Sequence, residues 1–188
     1  MKQIRIHGRG GQGVVAMAEV LAIAFFNDGQ ISQAFPHFGV ERSGAPIQSF
    51  VRVSPEEIKT REHVYHPDIL IILDDSLISK ADVFFGIKKD SIIIINSKLK
   101  PSDISKLISG SFSEKNVFSI DASSVALEVF GRNITNTVIL GALTKIPGLL
   151  SSEAMVRAIK EKFSYKGSET VNKNILAVRK IIKKDFNK

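Results

Sequence analysis

The chain has 188 residues, 44% hydrophobic and 24% charged, which is the balance of an ordinary globular protein long enough to bury a substantial core. Lysine and arginine number 26 against 19 acidic residues, and the resulting charge of +7 suits an acidic protein, a phosphorylated ligand or nucleic acid without specifying a fold. No cysteine is present, which excludes disulfides, thiolate-held iron–sulfur clusters and cysteine-ligated zinc on this chain.

The first segment, "QIRIH" (3–7), alternates polar and apolar residues as a strand does. "HGRGGQG" (7–13) follows, and residues 14–26 are then almost all apolar, as in a helix buried on most sides. Lys2, Arg5 and Arg9 before that run, and Ala22-Ile23-Ala24 within it, imitate a signal peptide. Glu19 interrupts the run, however, and about 13 residues are too few to span a bilayer. We therefore expect a cytoplasmic protein with no membrane segment.

"QISQAF" (30–35) and "IQSFVRV" (47–53) read as strands on either side of a loop, "PHFGVERSGAP" (36–46), punctuated by prolines and glycines. "DILIILD" (68–74), "SIIIINS" (91–97) and the shorter "NVFSIDA" (116–122) are aliphatic runs suited to central parallel strands. Helical periodicity marks 76–82, 102–109, 122–131, 137–146, 152–163 and 169–185, with Ser151 and Ser168 as N-caps of the last two. The alternation predicts one α/β domain over residues 1–188, a three-layer, mostly parallel sheet with helices on both faces. In the tail, Lys173, Arg179, Lys180, Lys183, Lys184 and Lys188 stand against Asp185 alone. No aromatic stacking platform is interleaved with them, so we read a solvated helix face and no nucleic-acid site.

Gly8-x-Gly10-x-x-Gly13 lies between a strand and a helix, the context of a Rossmann-like dinucleotide turn. Glycines permit a tight turn and close approach of a phosphate, which a helix N-terminus then meets with free N–H groups. The ribose carboxylate expected about 20 residues later is missing, because "QISQAF" holds no acid. In the second loop Gly39 and Gly44 bracket Glu41, Arg42 and Ser43, and Arg42 can offer a bidentate fork to a phosphate or carboxylate, or pair with Glu41. Asp74 and Asp75 end a strand and point opposite ways, so an N-cap is the expected job for one of them. His63-x-x-His66 lacks a third ligand, and no metal site is expected. No self-contained catalytic constellation emerges, which is the pattern of a component of a larger enzyme.

Three stretches together resemble one family. "IRIHGRGGQGVV", "QAFPHFGVERSGAPIQSFVRV", and "HPDILIILDDSL" with the later "NITNTVILGAL" are similar to the gamma subunit of pyruvate/2-oxoacid:ferredoxin oxidoreductases. "KFSYKGSETVNKNILAVRK" matches the family's C-terminal helices. The loop has the form of the pyruvate and branched-chain members rather than the 2-oxoglutarate ones. The resemblance implies oxidative decarboxylation of a 2-oxoacid to acyl-coenzyme A, with electrons passed to ferredoxin or flavodoxin. It implies alpha and beta partners holding thiamine diphosphate with Mg, and a delta partner holding two [4Fe-4S] clusters. This chain itself would hold no cofactor and supply no catalytic residue. Carried over by motif, Gly10, Gly11, Gln12, Gly13, Arg42 and Ser43 are the candidates for anion contact, with coenzyme A as the ligand. Two alternatives are an indolepyruvate oxidoreductase subunit and an independent nicotinamide or flavin enzyme.

Overall fold

The structure is a computed structural model that describes residues 1–37, 44–79, 81–108 and 112–184. Six strands form one sheet: β1 (Lys2–Arg9), β2 (Ile31–His37), β3 (Pro46–Ser54), β4 (Ile69–Ile72), β5 (Ile92–Asn96) and β6 (Val117–Ile120). Their order is β2-β3-β1-β4-β5-β6. β1, β4, β5 and β6 run parallel, while β3 is antiparallel to both β1 and β2. The sheet is thus mixed and mostly parallel, as the alternation of strands and helices predicts.

The register sorts side chains onto two faces. Ile4, Ile6, Val51, Val53, Ile69, Ile71 and Ile94 face the larger core, which is closed by helices α1 (Val14–Asn27), α3 (Ala122–Phe130), α4 (Ser152–Phe163) and α5 (Ser168–Lys183). Leu70, Ile72, Ile93 and Ile95 face the other way and pack under helix α2 (Pro101–Leu107), through Ile104, and under two short 3-10 turns, through Leu77, Val83 and Phe84. Helices therefore lie on both faces. Among the described residues, no helix is long and apolar enough to cross a membrane.

Several elements differ from expectation for identifiable reasons. β1 runs on through Gly8 to Arg9, which pairs with Pro46, so the glycine turn proper begins at Gly10. The strand following α1 lies at the sheet edge, and antiparallel β3 takes the place beside β1. The described residues of 76–82 form no α-helix; the 3-10 turns Asp75–Leu77 and Ala81–Phe84 stand there instead. Their apolar groups, Leu77, Ile78, Val83 and Phe84, cap the second face of the sheet. Residues 137–146 give a 3-10 helix, Val138–Lys145, pressed so closely on α5 that a Cβ on Gly141 would stand 2.7 Å from the Val178 carbonyl oxygen. Ser151 caps α4 as expected, its side chain accepting from the Ala154 N–H. Ser168 does not cap α5: the chain turns at Gly167, with φ 86°, and Ser168 is already helical.

Over the β1–β3–β2 half, the second face carries loops instead of a helix, held by two buried arginines. Arg5 donates from Nη1 to the carbonyls of Val64 and Tyr65, both at 3.3 Å, and from Nη2 to those of Val83 (2.9 Å) and Phe85 (2.6 Å). Burial, with no compensating carboxylate, pulls its pKa down to about 10, so it remains a cation at neutral pH. Arg52 donates from Nε to Gln3 Oε1 at 3.2 Å and from Nη2 to the carbonyls of Glu62 and His63, and it lies over the Phe35 ring. Arg5→Met would leave four carbonyls without their donor. It should destabilise the chain by about 3 kcal/mol. Urea unfolding measures this, and an unchanged midpoint would mean that the loops do not depend on the guanidinium.

Candidate functional site

In an open α/β sheet, ligands meet the carboxyl ends of the parallel strands where neighbouring connections diverge. Here that point lies between β1 and β4: the chain leaves β1 for α1 and the antiparallel hairpin, whereas β4 leads away to β5 and β6. The glycine turn sits at this edge. Gly10 donates its N–H to the Ala45 carbonyl (2.8 Å) and accepts from the Gly44 N–H (3.1 Å), so the turn is stitched to the start of β3.

A three-residue lock then ties it to β4. Asp74 Oδ2 accepts from Gln12 Nε2 at 2.9 Å and from Arg9 Nε at 3.1 Å. Gln12 Oε1 accepts the Arg9 N–H at 2.7 Å, while Arg9 also reaches the Gly44 carbonyl and Ser76 Oγ. Asp74 Oδ1 accepts from the Ser76 N–H, which makes Asp74 the N-cap of the turn Asp75–Leu77, as expected for one of the two aspartates. Burial acts to raise the Asp74 pKa, but hydrogen bonds from Ser76 and Gln12, together with the Arg9 charge, outweigh it and hold the carboxyl below the usual carboxylate range. The Gln12 amide thus bonds through both ends within this lock, which shapes the turn, and the side chain also lines the neighbouring cleft.

The turn leaves backbone open. Gly11 has φ 92°, and among the described residues, its chain neighbours aside, no atom lies within 4 Å of where a Cβ would be. Gly13, at φ 76°, precedes α1 without a side-chain cap among the described residues, and the first helix bond runs from the Met17 N–H to the Gly13 carbonyl at 3.0 Å. The N–H groups of Val14, Val15 and Ala16 therefore have no acceptor within the helix and favour an anion. Arg42 and Ser43 lie outside the described residues.

Beside the turn, the ends of β4, β5 and β6 line a cleft of about 370 Å³. Asn96 organises it: Nδ2 donates to the Leu73 carbonyl and to Ser123 Oγ, and Oδ1 accepts from the N–H groups of Ala122 and Ser123 at the start of α3. Asp75 accepts from Ser97 Oγ at 2.8 Å. Asp121 caps α3 through Ser124; burial opposes its ionisation, but the Ser124 bonds and the nearby Lys98 and Lys184 charges lower its pKa. Lys98 is the one cation among the described lining residues. The turn thus offers donors, and the cleft offers mainly acceptors.

Among the described residues at this edge, no hydroxyl is paired with a histidine or lysine as its base. The hydroxyls of Ser97 and Ser123 are bonded to Asp75 and Asn96, and among the described residues neither meets a histidine or lysine. His7 is buried in β1, where desolvation and the Arg5 charge pull its pKa down to about 3, so it stays neutral. His63 and His66 go separate ways. His63 stacks on His37 at 4.3 Å, His66 Nδ1 lies 3.2 Å from the Gly86 carbonyl, and no three metal-ligating side chains gather among the described residues. Sequence reasoning missed Asn96 as the organiser of the cleft and Asn136 beside Gly13. Their only trace in sequence is a first polar residue after "SIIII" and the last residue of "NITN".

The lock carries a pH signature. A carboxyl whose native pKa is depressed contributes stability that is present above its unfolded pKa of about 4 and lost as the pH falls through the native value. Asp74→Asn should cost about 1–2 kcal/mol at pH 7 and leave a flatter decline between roughly pH 5 and 3. Urea midpoints measured across that range check this; parallel curves would mean that Asp74 makes no linked contribution.

The family model described as pyruvate ferredoxin/flavodoxin oxidoreductase matches residues 3–183. Pyruvate synthase subunit PorC of Methanothermobacter marburgensis is 46% identical over 165 residues, covering 87% of each chain. The pyruvate/ketoisovalerate oxidoreductases common subunit gamma of Pyrococcus abyssi is 42% identical over 184 residues, covering 98% of this chain and 97% of its own. Among solved structures, the pyruvate oxidoreductase subunit PORC of Thermotoga maritima superposes with a TM-score of 0.81 at 31% identity, over 95% of this chain and 93% of that one. The sheet that places the glycine turn, and the chain around it nearly end to end, are shared with these subunits. The chain belongs to the pyruvate ferredoxin/flavodoxin oxidoreductase family, where it stands with the gamma subunits.

Proposed function

We propose that this chain is the gamma subunit of an enzyme that converts pyruvate, or a branched-chain 2-oxoacid, to its acyl-coenzyme A while passing electrons to ferredoxin or flavodoxin. In this reading the chain is one domain working in the cytoplasm. It supplies interfaces and part of the path for coenzyme A. Alpha and beta partners hold thiamine diphosphate with Mg, and a delta partner holds the [4Fe-4S] clusters. A chain with no cysteine has no thiolates to ligate such clusters itself.

The observation that carries the reading is the open backbone of Gly11 before the uncapped start of α1, with an acceptor-lined cleft adjoining it. Coenzyme A combines phosphates with an amide-bearing arm. Phosphates suit the donors offered by Gly11, Gly13 and the first turn of α1, with Gly10, whose N–H is taken by the Ala45 carbonyl, holding the turn against β3, while amide N–H groups suit the acceptors of the cleft. Gln12 holds the turn in shape through Asp74 and Arg9. Arg42 and Ser43 enter from sequence alone, as further anion contacts in the loop that ends at Gly44. The choice of oxoacid rests with the partner subunits.

Affinity-tagged chain drawn from an anoxic lysate should bring thiamine- and cluster-bearing partners with it; a chain recovered alone would end this reading. In the assembled enzyme, Gly11→Val should raise the KM for coenzyme A about fivefold or more while assembly persists. Gly29→Val provides the matched control. Gly29 has φ 81°, equally open surroundings and a position at the far end of α1, roughly 20 Å away. Both variants carry similar backbone strain, of order 1–3 kcal/mol. Equal KM effects from the two would reduce the turn to a packing device.

A further inference from the structure

We propose that Asn136 is a positioning residue for the start of α1, acting through Gly13; the inference rests on the reading of the glycine turn given above. Asn136 is far from the turn in sequence, and its Nδ2 donates to the Gly13 carbonyl at 3.4 Å. That same carbonyl accepts the first helix bond from Met17. The contact is steric as well: a Cβ on Gly13 would collide with the Asn136 amide, so the glycine and the asparagine occupy one space between them. Asn136 is anchored from both sides, since Thr135 and Thr137 are buried at 5% and 2% exposure, and Thr137 leads into the 3-10 helix packed on α5.

The other end of the amide is the telling part. Asn136 Oδ1 is buried and has no hydrogen-bond partner among the described residues. A buried acceptor left unpaired costs free energy, and native proteins retain few of them. Pure packing would favour an apolar side chain here, whereas an amide is held in place with one end unsatisfied and the other on Gly13. Because Oδ1 is enclosed, Asn136 acts on a ligand through the backbone it fixes and not by touching it. What it fixes is the direction of the carbonyl that ends the glycine turn, and with it the orientation of the free N–H groups of the first turn of α1.

The test uses the assembled enzyme carrying Asn136→Ala, assayed with coenzyme A as the varied substrate. The KM for coenzyme A should rise about fivefold, with kcat at saturating coenzyme A changed by less than about twofold. The thermal midpoint should stay within about 2 °C, because removing the unpaired oxygen offsets the lost bond. A midpoint that falls in step with a rise in KM, or an unchanged KM, would overturn the proposal. Gly13→Ala should raise KM by a smaller factor in the N136A background than in the wild type; equal factors would overturn the steric coupling. Gly11→Val separates this inference from the reading beneath it. A normal KM in G11V defeats both, whereas a raised KM in G11V beside a normal one in N136A defeats the Asn136 proposal alone.

Discussion

The carboxylate of Asp74 is the point on which this edge of the molecule depends. It receives Gln12 and Arg9 from the glycine turn and Ser76 from its own following turn, and Arg9 extends the network to Gly44 at the head of β3. Three segments that meet nowhere else in sequence are thereby fixed relative to one another at the carboxyl end of β1. A turn with three glycines among the four residues 10–13 has a large conformational entropy to lose, and backbone bonds alone would leave it loose. The charge-assisted bonds to Asp74 hold it while its outer backbone stays bare. Rigidity and openness thus coexist because the side chains of Arg9 and Gln12 turn inward toward β4, leaving Gly11 uncovered.

The two faces of the sheet are stabilised by different physics. Toward α1, α3, α4 and α5, burial of aliphatic side chains dominates. On the opposite face of the β1–β3–β2 half, the guanidinium groups of Arg5 and Arg52 replace a helix by gathering loop carbonyls. Backbone acceptors satisfy a buried cation without bringing a second desolvated charge. The consequence for function is a division of the molecule. The large helical face stabilises the domain, whereas the strand ends and the loops along them remain accessible to ligands and other chains.

The sequence made the strands legible, because "IRIH" and "SFVRV" alternate and "DILIIL" and "SIIII" do not. It did not reveal their partners. Alternation says that β3 is a strand, but only the sheet order shows it displacing β2 from the side of β1. That displacement gives a physical reason for the missing ribose acid: the strand end that would carry it does not stand beside the glycine turn. Arg5 and Arg52 occupy polar positions that read as solvent-facing. Their burial was invisible, since the groups that satisfy them are backbone carbonyls, which carry no signature in sequence. The cap at Asp74 was foreseeable from residue type, whereas its bond to Gln12 spans 62 positions and was not. Asn136 was legible only as part of a resemblance, because its role depends on the absence of a side chain at Gly13.

Within its family, this chain is built as an edge: donors at the glycine turn, acceptors in the neighbouring cleft, and no nucleophile paired with a base among the described residues. As a gamma subunit it belongs to a multi-subunit oxidoreductase, and under the function proposed above its contribution there is one of shape and position. The most direct measurement of this account is hydrogen–deuterium exchange of the assembled enzyme with and without coenzyme A. The account predicts slowed exchange confined to peptides spanning Gly10–Ala16 and the strand ends near Asn96. Unchanged exchange there, with protection appearing instead at the opposite end of the sheet or nowhere on this chain, would contradict it.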